Sequence, residues 1–207
     1  MTMVAAAPHV LVVHPSFPAR DVSELIAVVR AQPGKFSYAS AGTGQSSHLA
    51  GELFKQSTGL DLVHVPFNGA SPAMTSTIGN HTPIAFISLP AAATFIKEGL
   101  LRALATTGNM RTKPFTDVPT MAEAGVADQV SFFIQGVLMP AGVPRDIVER
   151  WHSEIVRVLS LADVDRRVKS LGLEPVVNTP DEFSAQIKSE VARWAKVIRQ
   201  ARINVTD

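Results

Sequence analysis

Phe36-Ser-Tyr-Ala-Ser-Ala-Gly-Thr-Gly-Gln-Ser-Ser-His-Leu-Ala50 decides the fold class, because its pattern changes within one short stretch. Phe36 to Ser40 reads as a strand, Gly42 and Gly44 break it, and Ser46 onward reads as a helix to Gln56. Such a turn aims backbone N–H groups at one point. Gly42 and Gly44 let a ligand approach the main chain, Ser40, Thr43, Ser46 and Ser47 add hydroxyls, and the helix dipole favours an anion. A carboxylate fits this arrangement, although many α/β proteins use the same turn simply to change direction. Neither the G-x-x-x-x-G-K-[ST] nor the G-x-G-x-x-G spacing is present, which counts against a nucleotide.

The alternation extends both ways from this stretch. Upstream, Val10-Leu-Val-Val13 is apolar on both faces and reads as a buried strand of a parallel sheet. A helix follows it, capped by Asp21 or Ser23 and stopped by Pro33-Gly34. Downstream come strand Leu62 to Val65, helix Pro72 to Ile78, strand Ile84 to Ile87, helix Ala91 to Lys97 and strand Leu101 to Thr106. Strands alternating with short helices predict an α/β fold with a largely parallel, three-layer sheet. After Thr106 the character shifts: Met121 to Gly125 gives a helical turn, and Ser131 to Met139 a strand. The remainder reads as helical except for Leu173 to Val177. Ile147, Val148, Trp151, Ile155, Val158 and Leu159 mark one amphipathic face; Phe183, Ile187, Val191, Trp194 and Ile198 mark another.

Composition narrows the function. The chain has 207 residues, 46% of them hydrophobic, enough to bury a core. Its net charge of +1 shows no run of like charges, so nothing is built to neutralise a phosphate backbone. Without cysteine, thiol catalysis and cysteine-ligated metal are excluded. No stretch approaches the roughly 20 apolar residues of a spanning helix, and no signal h-region is visible.

A second turn, Val63-His-Val-Pro-Phe-Asn-Gly-Ala70, again carries a strand end into a helix start. In open α/β sheets ligands bind outside the carboxyl ends of the strands, so both turns can face one site. Phe67 would wall that site and Asn68 would hydrogen-bond; both also read as ordinary loop residues. His48, near its helix start, can point at the same anion. His9, His14, His64, His81 and His152 form no H-x-x-x-H pair, and a structural role outweighs metal binding. There is no G-x-S-x-G elbow, and loop carboxylates are sparse, so binding without turnover is the expectation.

Ten blocks in one consistent order then make a resemblance. Val10-Leu-Val-Val-His-Pro-Ser16, Glu24-Leu-Ile, Pro33-Gly-Lys, Tyr38 to Gly44, His48 to Phe54 and Val63 to Gly69 resemble the core blocks of the tripartite tricarboxylate transporter (Bug) receptors. So do Leu101 to Ala105, Asp117 to Gly125, Pro140 to Pro144 and Leu171 to Pro175. The resemblance implies a two-lobed, type II periplasmic-binding-protein fold that closes on a small organic acid in the periplasm and hands it to membrane transporter subunits. It implies no cofactor, no nucleic acid and no direct insertion in the membrane. Carried over, the ligand-binding set is Ser40, Ala41, Gly42, Thr43, Gly44, Gln45, His48, Phe67, Asn68, Gly69, Ala70 and Ser88. The usual aromatic-Lys-Gly-Gly turn reads Phe67-Asn-Gly-Ala70 here, and Pro83 replaces the usual Asp.

The expected organisation is a hinge and crossing strand over 1–20, a complete ligand-binding lobe over 21–130, and a crossing strand with helices of an incomplete second lobe over 131–207. Family members place a signal peptide and a Gly-Gly-x-x-Asp loop ahead of the block that opens this chain. Two other readings remain at this point: an α/β enzyme acting on an anionic metabolite with His48 as base, and a truncated, non-binding remnant.

Overall fold

Val10 to Val13 can be apolar on both faces because both faces of their sheet are covered. In the computed structural model, which describes residues 2–204, these four residues are completely buried. Met1 and residues 205–207, the ends of two predicted segments, lie outside the described residues. The elements run β1 (Thr2–Val13), α1 (Val22–Arg30), β2 (Ser37–Ser40), α2 (Ser46–Thr58), β3 (Val63–Pro66), α3 (Ala70–Ile78) and β4 (Ile84–Ser88). They continue α4 (Leu89–Lys97), β5 (Arg102–Thr106), β6 (Phe132–Val137), α5 (Arg145–Leu159), α6 (Ala162–Ser170), β7 (Glu174–Pro175) and α7 (Pro180–Ala201). The chain divides into two units, Pro8–Phe133 with Val197–Asp207, and Met1–Ala7 with Ile134–Lys196.

The larger unit holds the strand order β3-β2-β4-β1-β5. Side chains alternate across a strand, so Leu11 and Val13 join Leu25, Val29, Ala50, Phe54 and Phe86 under α1 and α2. Val10 and Val12 join Ala39, Ala73, Met74, Ala85 and Ile87 under α3 and α4. The three layers are therefore as expected, but the strand directions are not all so. β2 is parallel to β3 and to β4, whereas β1 runs antiparallel to both β4 and β5. The apolar run reports burial on two faces and carries no information about direction. β1 is also longer than its apolar run: it begins at Thr2, where Ala5 and Ala6 pair with Pro175 and Glu174 of β7.

One side chain fixes the connection from β1 to α1. The Arg102 guanidinium donates to the carbonyls of Pro15 (2.9 Å), Ala19 (3.0 Å) and Phe17 (3.3 Å). Nη1 serves Phe17 and Ala19 and Nη2 serves Pro15, a division between two nitrogens that the single ammonium of a lysine does not offer. Replacing Arg102 by Met, which keeps the stem, should lower unfolding free energy by about 2 kcal/mol. Urea titration of both proteins reads this as a lower midpoint at constant slope; an unchanged midpoint would mean that solvent replaces the guanidinium without loss.

In the smaller unit, the predicted long helical stretch breaks at Ser160 and Leu161 into α5 and α6. The stripe on α5 is less buried than its periodicity implies. Leu159 is buried, while Trp151 is 56% exposed, with Ile147 and Val158 exposed beside it. α7 opens on a capping box: Thr179 N–H donates to Glu182 Oε2 (2.8 Å) and Glu182 N–H to Thr179 Oγ1 (3.2 Å). Asn178, just before it, accepts the Met3 N–H at 2.8 Å, a bond within this unit.

Candidate functional site

Because β2, β3 and β4 are parallel, their carboxyl ends share one rim, and each leads into a helix, β2 and β3 through short turns and β4 directly. The two glycine-bearing corners touch. Phe67 N–H donates to Ser40 O (3.1 Å) and Gly69 N–H to Ala41 O (2.9 Å). A Cβ on Gly42 would stand 3.2 Å from Phe67 O, so only glycine allows this approach, at φ +145. Ser88 closes β4 on the same rim, immediately before α4.

The electrostatics of the rim differ from those of the rest of the chain. Among the described residues, the first turns of α2, α3 and α4 contain no Asp or Glu, and no side chain caps any of the three. Elsewhere the chain supplies its own anion: Asp21 and Glu24 on α1, Asp146 on α5, Asp163 and Asp165 on α6, Asp181 and Glu182 on α7. Unpaired N–H groups and the positive ends of three helix dipoles thus meet at the rim with no carboxylate of the protein's own.

Within the first turn most of the expected donors are engaged. Gly42 N–H donates to Ser40 Oγ (3.2 Å), Gly44 N–H to His48 Nδ1 (3.0 Å) and Gln45 N–H to Gly42 O (3.2 Å). Ala41 N–H donates to Ser47 Oγ (3.0 Å). From Gly42 to Gln45, Thr43 alone among the described residues has an N–H with no acceptor assigned, beside the uncapped first turn of α2. Thr43, Gln45 and Asn68 are exposed; Ala41, Gly42, Gly44, Phe67, Gly69, Ala70 and Ser88 are half-buried; Ser40 is buried. His48 is 4% exposed and lies under the turn, so its ring reaches Gly44 and not the open rim.

A polar network underlies the turn. The His48 and His64 rings stack at 3.6 Å and 7°. His64 Nε2 and Ser40 Oγ share a 2.7 Å hydrogen bond. The Tyr38 hydroxyl donates to Glu52 Oε1 (2.7 Å), which also takes Lys55 Nζ (2.9 Å) and lies 3.9 Å from His48 Nε2. Burial pushes His64 down to about 3, helped by the neighbouring His48 and Lys55. Burial also lowers His48, with Glu52 opposing and Lys55 adding to the shift, and burial raises Tyr38. His48 Nδ1 is committed to Gly44 N–H, so the ring proposed as an enzymatic base offers no lone pair to the rim. No group of three or more metal-ligating side chains is assembled among the described residues.

His9 belongs to this site although its sequence neighbours do not show it. Its Nε2 pairs with Ser46 Oγ (3.0 Å) at the start of α2 and its Nδ1 with Ser131 Oγ (3.2 Å). The available signal is strand alternation: His9 shares the parity of Leu11 and Val13, the face that packs on α1 and α2.

Comparisons with known proteins bear on the family of the chain. The model of the tripartite tricarboxylate transporter family receptor matches residues 1–203. A UPF0065 protein from the tcbD-tcbE intergenic region of Pseudomonas sp. (strain P51) is 35% identical over 205 residues, covering 99% of this chain and 61% of the relative. Protein BugT of Bordetella pertussis is 33% identical over 200 residues, covering 97% and 61%. The chain therefore spans about three fifths of the length of these curated relatives. Among solved structures, a periplasmic transporter is 34% identical with a TM-score of 0.86, covering 98% of this chain and 67% of that one. Rpa4515 of R. palustris, solved with adipate, is 30% identical with a TM-score of 0.85, covering 97% and 67%.

Proposed function

Because the chain belongs to the tripartite tricarboxylate transporter receptor family, we propose that its acid-free rim takes the carboxylate of a small organic acid in the periplasm, for delivery to the membrane subunits of such a transporter. One observation carries this reading: α2, α3 and α4 start together with neither a cap nor an acidic residue, while every other helix has an acid in its first turn. A carboxylate supplies the missing counter-charge to the Thr43 amide, the first-turn amides of α2 and the hydroxyl of Thr43. The acyl chain then lies along Phe67, which packs onto the core of the larger unit. Adipate in the R. palustris relative supports a ligand of this class.

Charge-assisted hydrogen bonds contribute about 1.5 to 3 kcal/mol each, and association costs several kcal/mol, so this rim alone should bind near millimolar. Calorimetry with adipate and shorter dicarboxylates on the 207-residue chain is the test. Gly42→Val, which drives a side chain against Phe67 O, should weaken the best ligand at least about tenfold, the equivalent of one lost charge-assisted contact. No heat from any acid in the panel, or undiminished affinity in Gly42→Val, would rule the rim out.

A further inference from the structure

His48 occupies the third position of α2, the place from which a Glu or Gln of a capping box reaches back to an amide just ahead of the helix. Here an imidazole does so, because Nδ1 accepts the Gly44 N–H at 3.0 Å. That bond fixes the tautomer: Nδ1 is bare and the proton sits on Nε2, which faces Glu52 Oε1 at 3.9 Å. An incoming proton therefore has one place to go on this ring, the lone pair that holds Gly44. His64, stacked on His48, grips the other end of the same turn through Ser40. Ser40 Oγ in turn accepts the Gly42 N–H.

We infer that His48 and His64 are positioning residues, a neutral stacked pair that latches the Ser40 to Gln45 turn from beneath, and that protonation of His48 releases Gly44 and lets the turn change shape. The inference rests on the rim being the ligand site only for its functional consequence; the latch itself is a property of the unliganded chain.

The charged and titratable groups around the pair are few. α2 itself supplies Glu52 and Lys55, β2 supplies the Tyr38 hydroxyl that holds Glu52, and β3 supplies His64. β1 brings His9 to Ser46, and β4, packed on α2, brings no ionisable side chain. Glu52 favours the imidazolium, whereas burial and Lys55 oppose it. Two stacked cations at 3.6 Å would repel, so at most one ring of the pair charges first.

The test follows ring and amide nitrogens by NMR through an acid titration of the full chain. In the wild type, the His48 ring should titrate below its ordinary value of about 6.5, and the Gly44 amide shift should move with the same midpoint. In His48→Gln, whose side-chain carbonyl can still accept the Gly44 N–H, the amide should hold its position and stay flat over the same range; in His48→Leu it should be displaced already at neutral pH. At pH 7, adipate affinity should survive in His48→Gln and fall several-fold in His48→Leu, up to the about tenfold of one hydrogen bond. A Gly44 amide that titrates equally in His48→Gln, or that stays flat in the wild type while the ring charges, would overturn the latch. Failure of the wild type to respond to adipate and shorter dicarboxylates would overturn the ligand reading instead, and the ligand-free titration keeps the two apart.

Discussion

Gly51→Ala should be among the most destabilising single-methyl insertions in this protein, lowering unfolding free energy by about 3 kcal/mol net. A Cβ there would lie 2.2 Å from Tyr38 Cε2 and 2.6 Å from Cζ, distances no relaxed packing allows. The ring cannot step aside easily. It is fully buried, meets Phe86 edge-on at 5.9 Å, tilts against His64 at 5.0 Å, and is anchored through its hydroxyl to Glu52. Overpacking costs about 1 to 3 kcal/mol, and loosening a buried hydrogen bond to a carboxylate about 1.5 to 3 more. The helix-propensity gain of Ala over Gly, about 1 kcal/mol, opposes them and loses. Gly59→Ala is the control: it has open space around it but φ +66, so it should cost only the backbone strain of about 1 to 2 kcal/mol. Pairing Gly51→Ala with Tyr38→Leu should recover part of the loss, since the smaller side chain vacates the contact. Urea unfolding that finds Gly51→Ala as stable as the wild type would show that α2 does not sit on β2 this closely.

The same contact explains what the sequence reveals and what it hides. The units Phe36 to Gln56 and Val63 to Ile78 are legible because glycine, strand propensity and helical spacing agree locally, and α2 and α3 begin within two residues of their expected starts. The acid-free first turns are equally a matter of composition. Strand direction is not legible: β1 lies between β4 and β5 and antiparallel to both, a fact set by sheet order and not by Val10 to Val13. Nor is the network beneath the turn, since His9 reaches Ser46, and His48 stacks on His64, only once β1, α2 and β3 are assembled. The stripe on α5 errs the other way: its periodicity is real, yet Trp151 remains largely exposed. Periodicity names the face that can be buried, and only the packed structure says whether it is.

The buried histidine of β1 leads to the second large effect, a loss of stability on mild acidification. Burial pushes His9 down to about 4, against the raising influence of its hydrogen bond with Ser131. The unfolded chain holds a histidine at its ordinary value of about 6.5, so unfolding takes up a proton between these two values. His9's contribution is therefore complete above about pH 6.5 and drains away as pH falls toward 4, a loss of about 3 kcal/mol in all. His48 and His64, both lowered by burial, act in the same direction. The lowered carboxyls of Glu123, held chiefly by the Thr120 N–H, and Glu182, held by the Thr179 N–H, lose their contributions only as pH falls through the carboxylate range. The interval from about 6.5 to 5 therefore belongs to the histidines. His9→Gln keeps polar atoms near Ser46 and Ser131 but cannot titrate; it should cost about 1 kcal/mol at pH 7 through imperfect geometry and flatten the pH dependence of stability. Urea unfolding at half-unit steps from pH 7 to pH 4 reads both slopes. Parallel curves for the two proteins would mean that His9 titrates alike in the folded and the unfolded chain, and that water reaches the Ser46 end of α2 from beneath.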